Sequence, residues 1–219
     1  MLLHVITIPG LVDRLREEIA PVFIPPEGVP SQPVRVHDLG RLVRNSPLLR
    51  SIFYEVLRTC GGTVPNRVVI EDTVIAGRNF KKGTPIMMPA RPQHMDPAIW
   101  GEDYGQFVPD RFIRPDDKGG KFGNGGEKSQ GEVGEKDAER RRLAKERMMR
   151  PFGGGVSLCP GRFFASYEIW AFVACVIWQY DLTVKEGEKV PSIDTKSPTI
   201  GMMSPTHDVK IRLVKRKAI

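Results

Sequence analysis

The chain has 219 residues, of which 33 are Lys or Arg and 26 are Asp or Glu, and its formal net charge is +7. Hydrophobic residues make up 40% of the sequence, which excludes a disordered or collagen-like chain and lets folding bury roughly 70% of the unfolded surface. The three cysteines, Cys60, Cys159 and Cys175, are odd in number and widely spaced. This spacing excludes a disulfide framework and a zinc cluster built on CxxC pairs.

No apolar run reaches the roughly 18 to 20 residues that cross a bilayer. The apolar segment 1–10 is short and lacks a basic start, so we expect the end of a helix that begins upstream rather than a signal peptide. Apolar residues at helical spacing over 10–22 predict an amphipathic helix, ended by Pro21 and the Pro25-Pro26 pair. A proline-rich connection over 25–33 and a short helix over 36–45 are expected next.

Ser46 and the proline after it predict the N-cap and first position of a helix that runs to about Cys60. Between residues 66 and 89, β-branched residues separated by glycine and asparagine predict β-hairpins. Residues 95–115 show no clear period, so we expect an irregular but ordered meander fixed by side chains. Seven of the twenty residues in 118–137 are glycine and eight are charged, which predicts a disordered insertion.

Residues 138–150 hold six basic and two acidic residues, more than half of the net charge. The next long helix, over 160–180, is apolar nearly all round, which predicts a buried helix. The tail from Asp181 alternates enough to predict a terminal hairpin, with Val209, Ile211 and Leu213 on one face.

A glycine-rich loop places one cysteine at the start of that helix. Its sequence is Phe152-Gly-Gly-Gly-Val-Ser-Leu-Cys-Pro-Gly. Pro160 suits the first helical position, which would place Cys159 at or near the N-cap. There, free amide N–H groups and the helix dipole favour an anion, so we expect the sulfur to be held as a thiolate. The glycines let backbone amides approach this sulfur or a flat ligand.

This segment resembles the cysteine-ligand loop of the cytochrome P-450 superfamily, of form FxxGxxxCxG, with Phe152, Gly155, Cys159 and Gly161 in register. Three further elements resemble that family in the same order. Glu55 and Arg58 match its ExxR motif, Arg111 lies in a Pro-Asp-Arg-Phe segment like its later arginine motif, and Arg67 stands where the family commonly offers an arginine to a haem propionate.

The resemblance implies a mainly α fold with small β-hairpins (α+β), the C-terminal half of the family's fold, with residues 1–219 forming a partial haem-thiolate domain. It implies haem b as cofactor, with Cys159 as the axial ligand that pushes electron density onto iron and favours O–O cleavage. Phe152 would screen the sulfur, Arg67 would pair with a propionate, and Glu55, Arg58 and Arg111 would form a network that pins the meander.

Two departures from the family matter. Where the family often has Arg or His two residues before the cysteine, this chain has Ser157, so the propionate contact would fall to Arg67. The oxygen-activating helix and the N-terminal half with its membrane anchor have no counterpart, so we expect no catalytic residue in this chain. His94 lies in a segment that resembles another haem-side stretch of the family, and a surface histidine is the alternative.

By resemblance, the function is hydroxylation of a small lipophilic substrate with O2 and with electrons from NADPH through an acidic reductase. The protein would lie at the endoplasmic reticulum membrane through the missing half, without nucleic-acid binding. The basic run 140–150 would steer the reductase, and a solvated helix face is its simpler interpretation. Two other functions stay open: a reductase-independent hydroperoxide isomerase or dehydratase, and a non-catalytic truncated product.

Simpler interpretations also exist for the individual site residues. Cys159 could be a buried structural thiol, and Glu55, Arg58 and Arg111 could form ordinary surface salt bridges. Arg67 could be an exposed strand arginine. Cys60 and Cys175 are expected to be small core residues.

Overall fold

Among the residues that the structure describes, helices predominate and three small antiparallel sheets accompany them, as expected for the α+β class. The computed structural model describes residues 1–23, 39–114, 145, 148–196 and 201–217. The helices are α1 (Leu2–Thr7), α2 (Leu11–Phe23), α3 (Leu39–Asn45), α4 (Pro47–Cys60), α5 (Arg91–His94), α6 (Pro97–Trp100) and α7 (Arg162–Gln179). The strands are β1 (Asn66–Val68), β2 (Thr73–Ile75), β3 (Arg78–Phe80), β4 (Pro85–Met87), β5 (Tyr180–Val184) and β6 (Ile211–Lys215).

Three sequence predictions fall outside the described residues. They are the proline-rich connection over 25–33, the insertion over 118–137, and most of the basic run over 138–150. In the part of the chain that the structure describes, no helix combines the length and the apolar composition needed to cross a bilayer.

The predicted amphipathic helix is present as α2, with its apolar stripe buried. Of the two features predicted to end this helix, Pro21 does not end it, because the helix continues to Phe23, and the Pro25-Pro26 pair lies outside the described residues. Proline lacks an N–H, so one hydrogen bond is lost near the end of the helix. Burial of Val22 and Phe23, whose ring stacks on Trp178 at 5.1 Å, offsets that loss.

The predicted helix from Pro47 to Cys60 is present as α4, but its cap differs from the prediction. Ser46 occupies the N-cap position without a side-chain cap hydrogen bond. Instead, the backbone N–H groups of Leu48 and Leu49 donate to the two carboxylate oxygens of Glu18 at 2.8 and 3.0 Å. Glu18 lies on α2, so a residue distant in sequence satisfies the free amides at the start of α4 and ties the two helices together.

The hairpins predicted over 66–89 are confirmed. β1 pairs with β4, and β2 pairs with β3 in the stretch of chain that connects them. The turn between β2 and β3 has two residues, Ala76 and Gly77, both with positive φ, which matches the right-handed twist of the strands. The predicted terminal hairpin is confirmed as β5 paired with β6.

The structure describes the meander predicted over 95–115 as far as Arg114, and these residues are ordered and contain one short helix, α6. Asp96 caps α6 by accepting the N–H of Ala98 at 2.8 Å. The remainder, residues 101–114, forms turns without β-ladders. As predicted, side chains hold this segment.

The prediction that the long helix is buried all round is wrong. α7 buries one stripe, made of Ser166, Trp170, Val173, Ala174 and Ile177. This stripe faces α2, α3, α4 and β5. On the other side, Phe164 is 73% exposed and Phe172 is 59% exposed, because the described elements supply packing partners on one face of α7 only.

Candidate functional site

The loop before α7, residues 150–159, is here called the cysteine loop. The backbone N–H of Cys159 donates to the Phe152 carbonyl at 3.0 Å and closes the loop on itself. Gly153 and Gly155 have φ of 79° and 61°, a conformation that side chains disfavour. The thiol of Cys159 is exposed, so the alternative of a buried structural thiol is wrong.

The junction with α7 corrects the predicted cap. The helix begins at Arg162 with Gly161 as its N-cap, and Pro160 and Gly161 form a turn ahead of it. The Arg162 side chain reaches back and donates to the Cys159 carbonyl at 3.0 Å. Cys159 therefore lies two residues before the N-cap rather than at it. A proline is tolerated in such a turn as readily as in the first helical turn, so its position alone did not identify the helix start.

Three side chains from other elements hold the backbone of the cysteine loop. The Thr63 hydroxyl donates to the Pro151 carbonyl at 2.9 Å. Nη2 of Arg67 donates to the Gly154 carbonyl at 2.6 Å. Nε2 of His94 accepts the backbone N–H of Arg150 at 3.3 Å. Because each contact comes from a different segment, they fix the loop relative to the connection between α4 and β1, to β1 and to α5.

Arg67 lies on β1 and reaches the cysteine loop, so it is not the fully exposed strand arginine of the simpler interpretation. Its Nη1 donates to its neighbour's carbonyl, that of Asn66, at 2.7 Å. A Cβ at Gly155 would lie 3.9 Å from Nη2, which shows how closely the guanidinium approaches the glycine backbone. Ser157 is exposed in a short 3-10 helix, Gly155–Ser157.

Beneath the loop, α4 carries a fully buried ion pair, Glu55 with Arg58. Arg58 donates through Nε and Nη2 to the two carboxylate oxygens at 2.8 and 2.7 Å, a bidentate arrangement. Its other N–H groups donate to the carbonyls of His94, Tyr104 and Gln106 at 3.0, 2.7 and 2.9 Å. The pair is therefore not a surface salt bridge.

Arg111 joins this network, so the structure brings together the three residues that the resemblance grouped. Its Nε donates to Glu55 at 3.0 Å and its Nη1 to Asp103 at 2.9 Å. The Arg111 guanidinium holds the pKa of the Asp103 carboxyl below its ordinary value through that hydrogen bond. The Val108 N–H also donates to Glu55, at 2.9 Å. The meander is thus pinned to α4 by side chains.

Four residues of this arrangement were absent from the sequence predictions: Ser51, Thr63, Asp103 and Glu18. The Ser51 hydroxyl donates to the Pro109 carbonyl at 2.6 Å and accepts the Phe112 N–H at 2.9 Å. Its spacing of four before Glu55 puts it on the same helix face, a signal that could have identified it. The other three bind through tertiary contacts that no local spacing marks.

His94 is fully buried, so the surface alternative is wrong. Burial, followed by the positive charges of Arg58 and Arg91, lowers its pKa to about 4. The other two cysteines behave as expected of core thiols. Burial raises the pKa of Cys60 and of Cys175, which keeps both thiols neutral.

The sequence matches one family model, described as Cytochrome P-450, over residues 1–211. A cytochrome P-450 monooxygenase of Gibberella zeae is 30% identical over 98% of this chain and 39% of its own length. The cytochrome P-450 monooxygenase nodJ of Hypoxylon pulicicidum is 32% identical over 95% of this chain and 38% of its own length. The chain therefore spans about two fifths of the length of these relatives.

A relative from Oryctolagus cuniculus, named 7-alpha-hydroxycholest-4-en-3-one 12-alpha-hydroxylase, is 32% identical over 96% of this chain and 40% of its own length. A solved zebrafish cytochrome P-450 structure with abiraterone aligns with a TM-score of 0.68 at 21% identity, over 99% of this chain and 43% of that one. At that identity, the structural likeness supports the fold.

Proposed function

Because the chain belongs to the cytochrome P-450 family of oxidoreductases, we propose that it is the haem-binding portion of a monooxygenase, with Cys159 as the axial thiolate ligand. The observation that carries this proposal is the exposed cysteine at the end of a loop whose backbone is tied to three other elements. When bound, haem b would supply the activation of O2.

The residues present fit such a group. A soft sulfur ligand suits iron, and Cys159 is exposed at the end of its loop, where a Cβ at Gly161 would lie 3.8 Å from the sulfur. The glycines at 153–155 and 161 leave room for a planar ligand near the sulfur. Phe152 is half-buried and packs against the core, and we propose that it limits water around the sulfur.

Arg67 is the proposed partner of a haem propionate. Its guanidinium already lies beside the cysteine loop, and a guanidinium pairs with a carboxylate in a planar, bidentate way. Glu55, Arg58 and Arg111 are buried away from solvent, and we assign them a structural role. They hold the meander against α4, and through α4 and α5 they support the loop that carries Cys159.

Electrons are proposed to come from NADPH through an acidic reductase. Arg150 lies exposed at the start of the cysteine loop, and Arg162 lies beside Cys159 with its guanidinium over the Phe163 ring. Positive charge beside the sulfur would attract an acidic partner. Of these two residues, Arg150 is the last residue of the basic run over 140–150.

The proposed substrate is a small lipophilic molecule. The name of the rabbit relative describes hydroxylation of 7-alpha-hydroxycholest-4-en-3-one, and this supports a lipophilic substrate for the whole protein. An endoplasmic reticulum location, with membrane attachment through residues outside this chain, is proposed on the family resemblance.

Replacing the proposed ligand tests the proposal directly. Haem is titrated into the 219-residue chain and into Cys159→Ala, and the Soret band is recorded in each. We expect saturable binding with a thiolate-type band for the native chain and loss of that band in Cys159→Ala, because only a thiolate gives this signature. Cys175→Ala is the matched control and should keep the band. An unchanged band in Cys159→Ala, or no saturable binding by the native chain, would contradict the proposal.

A further inference from the structure

His94 connects the buried ion pair to the cysteine loop with two different parts of one residue. Its backbone carbonyl accepts a hydrogen bond from Nη1 of Arg58 at 3.0 Å. Its ring nitrogen Nε2 accepts the backbone N–H of Arg150 at 3.3 Å. A chain of hydrogen bonds thus runs from Glu55 through Arg58 and His94 to the first residue of the loop.

The chemistry of the contact fixes the tautomer of the ring. A backbone N–H can only donate, so Nε2 must carry a free lone pair and the ring must be neutral, with its proton on Nδ1. Nδ1 is buried and has no hydrogen-bond partner among the described residues. A buried N–H without a hydrogen-bond partner is costly. The contacts of the rest of the residue must therefore hold the ring in place.

The contact is made at the first residue of the loop, so it affects the position of the residues that follow. Arg150 precedes Pro151, which has no N–H of its own. The Arg150 N–H is therefore the last backbone donor before Phe152, where the glycine-rich loop begins. The Gly153 N–H in turn donates to the Arg150 carbonyl at 3.1 Å. Fixing Arg150 fixes the start of the turn that leads to Cys159.

We propose that His94 is a positioning residue, which orients the cysteine loop by accepting the Arg150 N–H and links it to the buried Glu55–Arg58 pair. Orienting the loop would also place the sulfur of Cys159, and only this consequence rests on the proposed function. The loop contact itself can be measured without haem, so a failure of haem binding and a failure of this inference are distinguishable.

The test measures backbone amide exchange in the 219-residue chain without haem, for the native protein and three variants. His94→Phe keeps an aromatic ring but removes the acceptor. His94→Gln keeps an acceptor oxygen close to the place of Nε2. His4→Phe is the matched control, because His4 is also a histidine with a lowered pKa, but it lies on α1 and stacks on Phe107.

We expect the amides of Arg150, Gly153 and Cys159 to exchange about tenfold faster in His94→Phe, relative to the amides of β5 and β6, because one hydrogen bond is lost. His94→Gln should restore most of the protection, and His4→Phe should leave the ratio unchanged. Equal acceleration of the loop and the β5–β6 hairpin would mean simple destabilisation and would overturn the proposal.

A measurement on the native chain decides the matter if His94→Phe does not fold. The ¹⁵N spectrum of the His94 ring distinguishes a protonated from an unprotonated Nε2. We expect an unprotonated Nε2 with the proton on Nδ1. A proton on Nε2 would overturn the proposal, since that nitrogen could then no longer accept the Arg150 N–H.

Discussion

At the scale of single residues, the pair of Glu55 and Arg58 shows how hydrogen bonds compensate the cost of burying two charges. Both side chains have no exposed surface, and removing two charges from water is expensive unless every donor and acceptor is satisfied. Arg58 meets that condition with two carboxylate oxygens and three backbone carbonyls. The same contacts that compensate the charge also fix residues 94–106 against α4.

Glu55→Gln should therefore destabilise the chain by about 3 to 5 kcal/mol, because it leaves the guanidinium of Arg58 buried without its counter-charge. The free energy of unfolding is measured by urea denaturation. Arg14→Ala is the control, since Arg14 pairs with Asp110 at the surface with both side chains about half exposed, and such pairs contribute roughly 0 to 1 kcal/mol. Equal losses in the two variants would refute the burial argument.

Residues with a local pattern could be predicted, whereas residues whose partners are backbone groups far along the chain could not. Glu55 and Arg58 share a helix face through their spacing of three, and Cys159 stands out among glycines. His94 binds a backbone N–H 56 residues away, and any residue except proline offers the same N–H. The sequence therefore contains no complementary side chain that could have revealed the contact.

At the scale of secondary-structure elements, helix starts depend on which acceptor satisfies the free amides. For α4 that acceptor is the carboxylate of Glu18 on α2, although Ser46 is the better cap by residue type. A carboxylate also interacts favourably with the positive end of the helix dipole. The helix boundaries followed from Ser46 and Pro47, but the cap itself came from tertiary structure.

Glu18→Ala should lower the stability of the chain by about 1 to 2 kcal/mol, because two amide donors at the start of α4 lose their acceptor. Glu17→Ala is the matched control: the neighbouring glutamate is exposed, and its loss should change stability by less than about 0.5 kcal/mol. Urea denaturation of both variants gives the comparison. If Glu18→Ala proved as mild as Glu17→Ala, the cross-helix cap would be refuted.

The difference between predicted and observed burial of α7 has a similar origin. Its residues are apolar on nearly every side, and a sequence pattern of that kind reports what a helix can bury. How much it does bury depends on which elements meet it. In the described structure α2, α3, α4 and β5 cover one stripe, and apolar side chains on the other side, such as Phe164 and Phe172, stay exposed.

At the scale of the whole molecule, two histidines make stability depend on pH: His94, which is buried, and His4, which is half-buried. The pKa of His4 and that of His94 are each lowered to about 4, mainly by burial. For His4 the α-amino group of Met1 lowers the pKa further and Glu55 opposes this effect. An unfolded histidine titrates near about 6.5, so between these values the unfolded chain binds protons that the folded chain does not.

Stability should accordingly be constant with respect to these groups above about pH 6.5 and fall as the pH drops toward about 4. The full loss is on the order of 3 kcal/mol for each histidine. Urea denaturation at pH 7 and at pH 5 measures the part of this loss that falls in that range, about 2 kcal/mol or less for each histidine. His4→Phe should remove about half of this difference, and a difference equal to that of the native chain would argue against a neutral, half-buried His4.

The cytochrome P-450 membership of the chain, its ordered cysteine loop and its buried pair all bear on one claim, that Cys159 is the ligand of haem iron. The most direct measurement is X-ray absorption at the iron edge of the haem-loaded chain, native and Cys159→Ala. We expect an iron–sulfur scattering shell in the native protein and none in the variant. The same sulfur shell in both proteins, or none in the native protein, would contradict it.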